Sequence, residues 1–158
     1  MKAANVKVIA KALGELDSSQ RLEVILSLSK FKKENKEYLS YLLFEKADED
    51  NYIANIKLEM DEMFEGINTS HYYYMKKSIR KIQRSIKTYV RYSKKKTTEV
   101  ELLIYFCEKM LEIEPSIKSN QVILNIYLRQ RELINKAISC LHEDLRFDYQ
   151  IELDKLDE

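Results

Sequence analysis

The chain has 158 residues, of which 45% are hydrophobic and 34% are charged, and this composition excludes a disordered protein. It contains only two glycines and one proline. A β-sandwich or barrel needs many tight turns that use these residues, so an all-α fold is predicted. The formal net charge of +1 hides an uneven distribution, because residues 72–96 contain ten basic residues and no acidic one.

Cysteine use and hydropathy indicate where the protein works. Cys107 and Cys140 are too few for a disulfide framework, and both lie among apolar residues, which favours a reducing compartment. Residues 1–14 have scattered lysines and no continuous apolar core, unlike a signal peptide. The longest strongly apolar run, 102–107, is far too short to span a membrane. We therefore expect a cytoplasmic protein without a membrane span.

Apolar residues recur at offsets of three and four along the chain, which predicts about eight helices. Their approximate ranges are 2–13, 18–33, 35–46, 49–65, 70–94, 98–113, 120–141 and 143–156. Short connections favour antiparallel hairpins between helices two and three, four and five, and six and seven. Because no stretch resembles a linker, a single helical domain over 1–158 is predicted. Both a short α-solenoid-like array and an irregular bundle fit this pattern.

Three of these helices carry more specific signals. The second has apolar positions at Leu22, Ile25, Leu26 and Leu28. The third is apolar on more than one side, so we expect several neighbours to bury it. The sixth is apolar nearly all round and is the predicted core helix. Residues 98–101 (Thr-Glu-Val-Glu) form a capping-box pattern at its start, and Gly66 is predicted to end the fourth helix in a left-handed conformation.

The fifth predicted helix, 70–94, has the strongest functional signal. Its apolar stripe is opposed by a row of cations at helical spacing, which we call the basic face. The basic face consists of Lys76, Lys77, Arg80, Lys81, Arg84, Lys87, Arg91 and Lys94. A row of cations along one helix can contact several phosphates of a nucleic-acid strand. Tyr72, Tyr73 and Tyr74 precede the row and are of a type that stacks on exposed bases.

Two other interpretations of the basic face stay open at this point. Segments 45–71 and 97–158 each have six more acidic than basic residues, and these acids can neutralise the cations by direct contact. This interpretation is favoured, because charge runs usually form solvated faces. A basic amphipathic helix can also lie on an anionic membrane, but the apolar stripe is what a helical bundle needs for its own core.

No motif for catalysis, metal binding or cofactor binding withstands inspection. Residues 140–144 (Cys-Leu-His-Glu-Asp) include possible ligands, but no second cluster completes a four-ligand zinc site. The acidic run 48–51 lacks the glycine that a calcium loop needs at its sixth position, where Ile53 stands. No GxxxxGK[ST] phosphate loop and no GxSxG nucleophile turn are present. No cofactor, metal or catalytic residue is therefore predicted.

Three stretches carry a resemblance to a known family, namely 30–39 (KFKKENKEYL), 101–107 (ELLIYFC) and 141–149 (LHEDLRFDY). They resemble a family of small, uncharacterised all-helical proteins from Bacteroidota bacteria. The resemblance covers most of the chain and implies a bacterial cytoplasmic protein. It carries over no functional residue.

Three functional hypotheses follow from the sequence. The first is a non-enzymatic interaction or scaffold module that presents its charged faces to another protein or to a second copy of the chain. The second is a nucleic-acid-binding domain that uses residues 70–94. The third is an enzyme with scattered Glu, His or Cys residues that only a pocket would bring together.

Overall fold

Helices form most of the chain that the structure describes. This computed structural model describes residues 1–156, and within them there are eight α-helices and no β-strand. The helices are α1 (Val6–Glu15), α2 (Ser18–Phe31), α3 (Lys33–Ser40), α4 (Glu49–Glu65), α5 (Tyr72–Ser93), α6 (Lys96–Leu111), α7 (Gln121–Ile138) and α8 (Glu143–Lys155). A π-helical turn, Tyr41–Glu45, follows α3, and a 3-10 turn, Ile117–Ser119, precedes α7. The predicted all-α fold with about eight helices is confirmed.

Contacts between residues divide the chain into two compact units. The N-terminal unit is Met1–Phe44 and the C-terminal unit begins at Glu45. The three helix pairs predicted from the short connections are all in contact, namely α2 with α3, α4 with α5, and α6 with α7. The first pair belongs to the N-terminal unit and the other two to the C-terminal unit.

In the C-terminal unit, α6 is the central helix, as predicted. It packs against α4, α5, α7 and α8. Eight of its sixteen residues are buried, and Val100, Leu102 and Phe106 are completely inaccessible to solvent. In a solenoid each element contacts only its neighbours in the stack. The contact of α6 with four other helices makes this unit a bundle.

Hydrogen bonds between helices fix the direction of α4. Tyr52 near the start of α4 donates through its hydroxyl to the carbonyl oxygen of Tyr89 near the end of α5, at 3.0 Å, so these two helices are antiparallel. Further along α4, Asp61 accepts from the Tyr105 hydroxyl in the second half of α6, at 2.7 Å. The start of α4 likewise meets the start of α6, so these two helices run in the same direction.

Two predicted helix-end signals are wrong. Gly66 has a φ of −80°, whereas the left-handed end of a helix occurs at Lys94, which closes α5 with a φ of 60°. The capping box at 98–101 is not formed either, because α6 begins at Lys96 and its N-cap residue makes no side-chain capping bond. The Thr98 side chain has a partner on another helix, Glu49 of α4, which competes successfully with a local cap.

Glu49 joins three helices of the C-terminal unit. Its Oε1 accepts from Thr98 Oγ1 on α6 at 2.7 Å and from the Ser93 hydroxyl at the end of α5. Its Oε2 lies 3.1 Å from Lys95 Nζ, just before α6. Ser93 and Thr98 are both buried, so this carboxylate ties the ends of α4, α5 and α6 together in a largely dry environment.

The N-terminal unit is organised by local contacts. A reciprocal capping box between Asp17 and Gln20 starts α2. The Arg21 guanidinium donates to the carbonyl oxygens of Leu13 and Gly14 at the end of α1, at 2.9 and 3.2 Å. The Asn35 amide of α3 donates to the Leu28 carbonyl oxygen of α2 at 2.8 Å. Side chains therefore satisfy the open ends of these helices, although the unit has almost no core.

Candidate interaction surfaces

The two sides of α5 differ sharply in environment. Met75, Ile79, Ile82 and Ile86 are at most 1% exposed and face the core of the C-terminal unit. On the basic face, Lys76 is partly buried and the other seven cations are exposed. Helical spacing places these residues on the side away from the core, so the predicted row of cations exists as a surface.

The sequence favoured an interpretation in which nearby acidic residues neutralise the basic face by direct contact. In the described part of the chain, the structure does not show such contacts for most of the cations on this face. Among residues 1–156, Lys94 takes part in an interaction within the chain, but the other seven cations have no carboxylate oxygen within 4.0 Å. The ion pairs around α5 and α6 use other lysines. Lys95 pairs with Glu49, and Lys96 Nζ lies 2.6 Å from Glu99 Oε2. The acidic excess on either side of α5 therefore does not reach these seven side chains.

Aromatic side chains border the N-terminal end of the basic face. Tyr73 and Tyr74 are 58% and 49% exposed, and their ring centroids lie 5.4 Å apart in an edge-to-face arrangement. Lys76 Nζ lies 5.5 Å from the centroid of Tyr73, within the range of a cation–π contact. Tyr72 is partly buried. Two of the three predicted tyrosines thus present open rings beside the cations.

Several charged and polar side chains of α4 and α6 form a cluster in which they pair with one another. Asp61 accepts from the Tyr105 hydroxyl and lies 3.2 Å from Lys109 Nζ, which also pairs with Glu112 at 3.1 Å. The Tyr105 hydrogen bond, with Lys109, lowers the pKa of Asp61, while burial and Asp61 raise the pKa of Tyr105. Hydrogen bonds to Glu112 and Asp61 raise the pKa of Lys109. These groups satisfy one another and tie α4 to α6.

Possible metal ligands do not form a cluster in the part of the chain that the structure describes. Within residues 1–156 no three His, Cys, Asp or Glu side chains gather as metal ligands would. Cys107 is completely buried, and burial raises the pKa of its thiol to about 12, so the thiol stays protonated near neutral pH. Cys140 is exposed, and its Sγ donates to the Lys136 carbonyl oxygen at 3.4 Å.

The N-terminal unit carries a second surface that sequence analysis missed. Between residues 1 and 44, all of which the structure describes, Tyr41 alone is buried. Large apolar side chains in this unit are exposed by more than a third, and we call them the apolar set. The apolar set consists of Val6, Val8, Ile9, Leu22, Val24, Ile25, Leu26, Leu28, Phe31, Leu42, Leu43 and Phe44. The expectation that several neighbours bury the third predicted helix is therefore wrong for its last residues.

Part of the apolar set lines one continuous depression. A groove of about 280 Å³ runs between α2, α3 and the following π-helical turn. Ile25 and Leu28 come from α2, Leu39 from α3, and Leu42 from the turn. Phe31, the last residue of α2, and Phe44, within the turn, are 76% and 73% exposed. Helical periodicity marks such residues as a face to be covered, but it does not reveal whether the covering group belongs to the same chain.

No α-helix of residues 1–156 is both long and apolar enough to cross a lipid bilayer. Comparison of this chain with protein-family models, with curated proteins and with solved structures gives no match.

Proposed function

We propose that this protein is a non-enzymatic interaction module that binds another protein, or a second copy of itself, through the N-terminal unit. One observation carries the proposal: this unit folds into three helices with many apolar residues, yet it buries only Tyr41. Two free cysteines and the absence of a membrane-spanning helix in residues 1–156 support a cytoplasmic site of action.

Energetics give the reason for a partner. Ordering a residue costs about 1–2 kcal/mol of backbone conformational entropy, and burial of apolar surface is the main term that offsets it. The N-terminal unit has 44 residues, and only Tyr41 among them is buried. A partner that covers Leu28, Phe31 and their neighbours would bury apolar surface and so offset the entropy cost of ordering the unit. Exposed apolar groups of this density also mark interaction sites in other proteins.

The test combines the mass of the purified protein with recovery of its partner. We expect light scattering to show a dimer or larger assembly, or tagged protein from its native host to retain one partner in fixed stoichiometry. Leu28→Asp with Phe31→Asp should abolish this association. Leu58→Asp with Phe147→Asp is the matched control, since Leu58 and Phe147 are similarly exposed in the C-terminal unit. A strictly monomeric wild type without a partner, or equal behaviour of the two variants, contradicts the proposal.

A second candidate function is nucleic-acid binding by the basic face, and a separate observation favours it. Seven of its eight cations have no carboxylate partner within residues 1–156, so they are available to phosphates. From Lys77 to Arg91 the row extends about 21 Å at 1.5 Å per residue, long enough for several phosphates. Tyr73 and Tyr74 provide rings at one end.

Salt dependence tests this candidate. Labelled RNA and DNA are titrated with protein at several salt concentrations, and four engaged cations give a log–log slope of about −3 for a single strand. Arg80→Gln with Lys87→Gln and Arg91→Gln should weaken binding and flatten the slope. Lys118→Gln with Lys136→Gln and Lys155→Gln removes the same charge from other exposed positions and should change little. Absence of binding at low salt rules this function out.

A further inference from the structure

A groove beside the basic face has a mostly apolar surface, although polar side chains also line it. It has a volume of about 400 Å³ and lies between α5, α6 and α7. Ile86 and Val90 of α5, Leu103 of α6 and Leu133 of α7 form its walls. Leu133 is 46% exposed, so the groove is accessible from outside. It can therefore accept an apolar body without displacing the core.

One nearly buried polar side chain in the groove lacks a protein partner. Gln130 of α7 is only 2% exposed and lines the groove. Within residues 1–156 its side-chain amide makes no hydrogen bond. In the same residues, every side-chain nitrogen or oxygen that is fully shut off from solvent has a hydrogen-bond partner, so the unbonded Gln130 amide must retain some exposure. The groove is the cavity that Gln130 lines. A nearly buried amide is costly unless it is hydrogen-bonded, and a bound molecule can supply the bond.

Positive charge lies at the edge of this groove. Arg84 and Lys87 of the basic face line it, are exposed, and have no carboxylate partner among residues 1–156. Glu99 also lines the groove, but its carboxylate is paired with Lys96. The groove thus combines apolar walls, the nearly buried Gln130 amide, a second amide from the partly buried Gln83, and two cations at the rim.

We infer that the groove binds one unpaired nucleobase of a single-stranded nucleic acid, with the adjoining phosphates on Arg84 and Lys87. This inference rests on the proposal that the basic face binds nucleic acid. A nucleobase has flat apolar faces and an edge of donors and acceptors, which match the walls and the Gln130 amide. A base in a duplex must first leave its stack at an energetic cost, so the groove favours single strands.

The experiment compares single-stranded RNA, a duplex of equal length and a single strand with abasic sites, at one salt concentration. Wild type should bind the single strand most tightly. Gln130→Leu replaces the amide with an apolar side chain and should lower single-strand affinity about tenfold while leaving the salt slope unchanged. Gln121→Leu, at an exposed position on the same helix, is the control. Leu133→Trp fills the groove from its open side and should cause the same loss as Gln130→Leu.

The outcomes separate the inference from the function on which it rests. If no strand binds at low salt, the nucleic-acid function itself fails and the groove proposal falls with it. If all three strands bind equally and neither groove variant changes affinity, phosphate binding stands but the nucleobase site is refuted. Folding of each variant is checked by its thermal unfolding, and Leu133→Trp provides an independent test if Gln130→Leu is unstable.

Discussion

Replacing Thr98 with valine should destabilise the C-terminal unit, although the two side chains have nearly the same shape. Thr98 is fully buried, and its hydroxyl donates to Glu49 at 2.7 Å. A hydrogen bond to a charged group contributes about 1.5–3 kcal/mol, and valine leaves the carboxylate short of one donor. Ser93 and Lys95 continue to satisfy it in part. We therefore expect the free energy of unfolding to fall by about 2 kcal/mol.

Chemical and thermal unfolding measure this loss directly. For a chain of this size, about 2 kcal/mol corresponds to a decrease in Tm of roughly 4–8 °C. Thr97→Val is the matched control, because Thr97 is the preceding residue, is only partly buried, and makes no side-chain hydrogen bond within residues 1–156. It should change stability by less than about 0.5 kcal/mol. Equal effects of the two substitutions would refute the role assigned to Glu49 as a junction of three helices.

Three further predictions concern the thiols, the polar cluster and the core. A thiol reagent at pH 8 should modify Cys140 alone in the native protein and reach Cys107 only on unfolding, because burial raises the pKa of the Cys107 thiol to about 12; fast modification of both would contradict this burial. Tyr105→Phe should raise the pKa of Asp61 in an NMR titration, since the tyrosine hydroxyl is the main cause of its lowered value. Because the pKa of Asp61 is lower in the folded than in the unfolded protein, its carboxylate stabilises the fold at pH values above the unfolded pKa, near 3.8. This stabilisation is lost as the pH falls through the folded pKa. Tyr105→Phe should therefore lose less stability than the wild type over this acidic pH range. An unchanged Asp61 pKa in the variant would show that the Tyr105 hydrogen bond does not cause the lowered value. Met75→Ala should cost about 2–5 kcal/mol in urea unfolding, because Met75 is fully buried, and a cost below about 1 kcal/mol would mean that the core refills the space.

The features that sequence reasoning predicted well are those that a helix determines by itself. The spacing of Lys77, Arg80, Arg84 and Arg91 places them on one side of α5 whatever surrounds the helix. The apolar content of α6 likewise requires neighbours on several sides, and the structure supplies four. Both conclusions depend only on helical periodicity and on the cost of exposing apolar area.

The features that sequence reasoning missed depend on partners distant in the chain. A Thr-x-x-Glu pattern predicts a local cap, but Glu49 lies 49 positions before Thr98, and nothing local indicates their hydrogen bond. The apolar positions of α2 posed a different difficulty. Leu22 and Ile25 follow the same spacing whether a neighbouring helix or another molecule covers them, and the structure leaves them exposed. Periodicity therefore predicts a face to be buried but not the identity of what buries it.

Because the N-terminal unit has almost no core of its own, it affects the abundance that the protein can reach in a cell. When a segment gains its stability from an associated surface, the folded fraction of that segment rises with the concentration of that surface. Copies made in excess would present Phe31 and Phe44 to solvent, where proteases and chaperones act on open apolar helices. On the proposed function, the steady-state abundance of the protein would follow the supply of its partner. Co-expression would then raise its yield without any change in the rate of its synthesis.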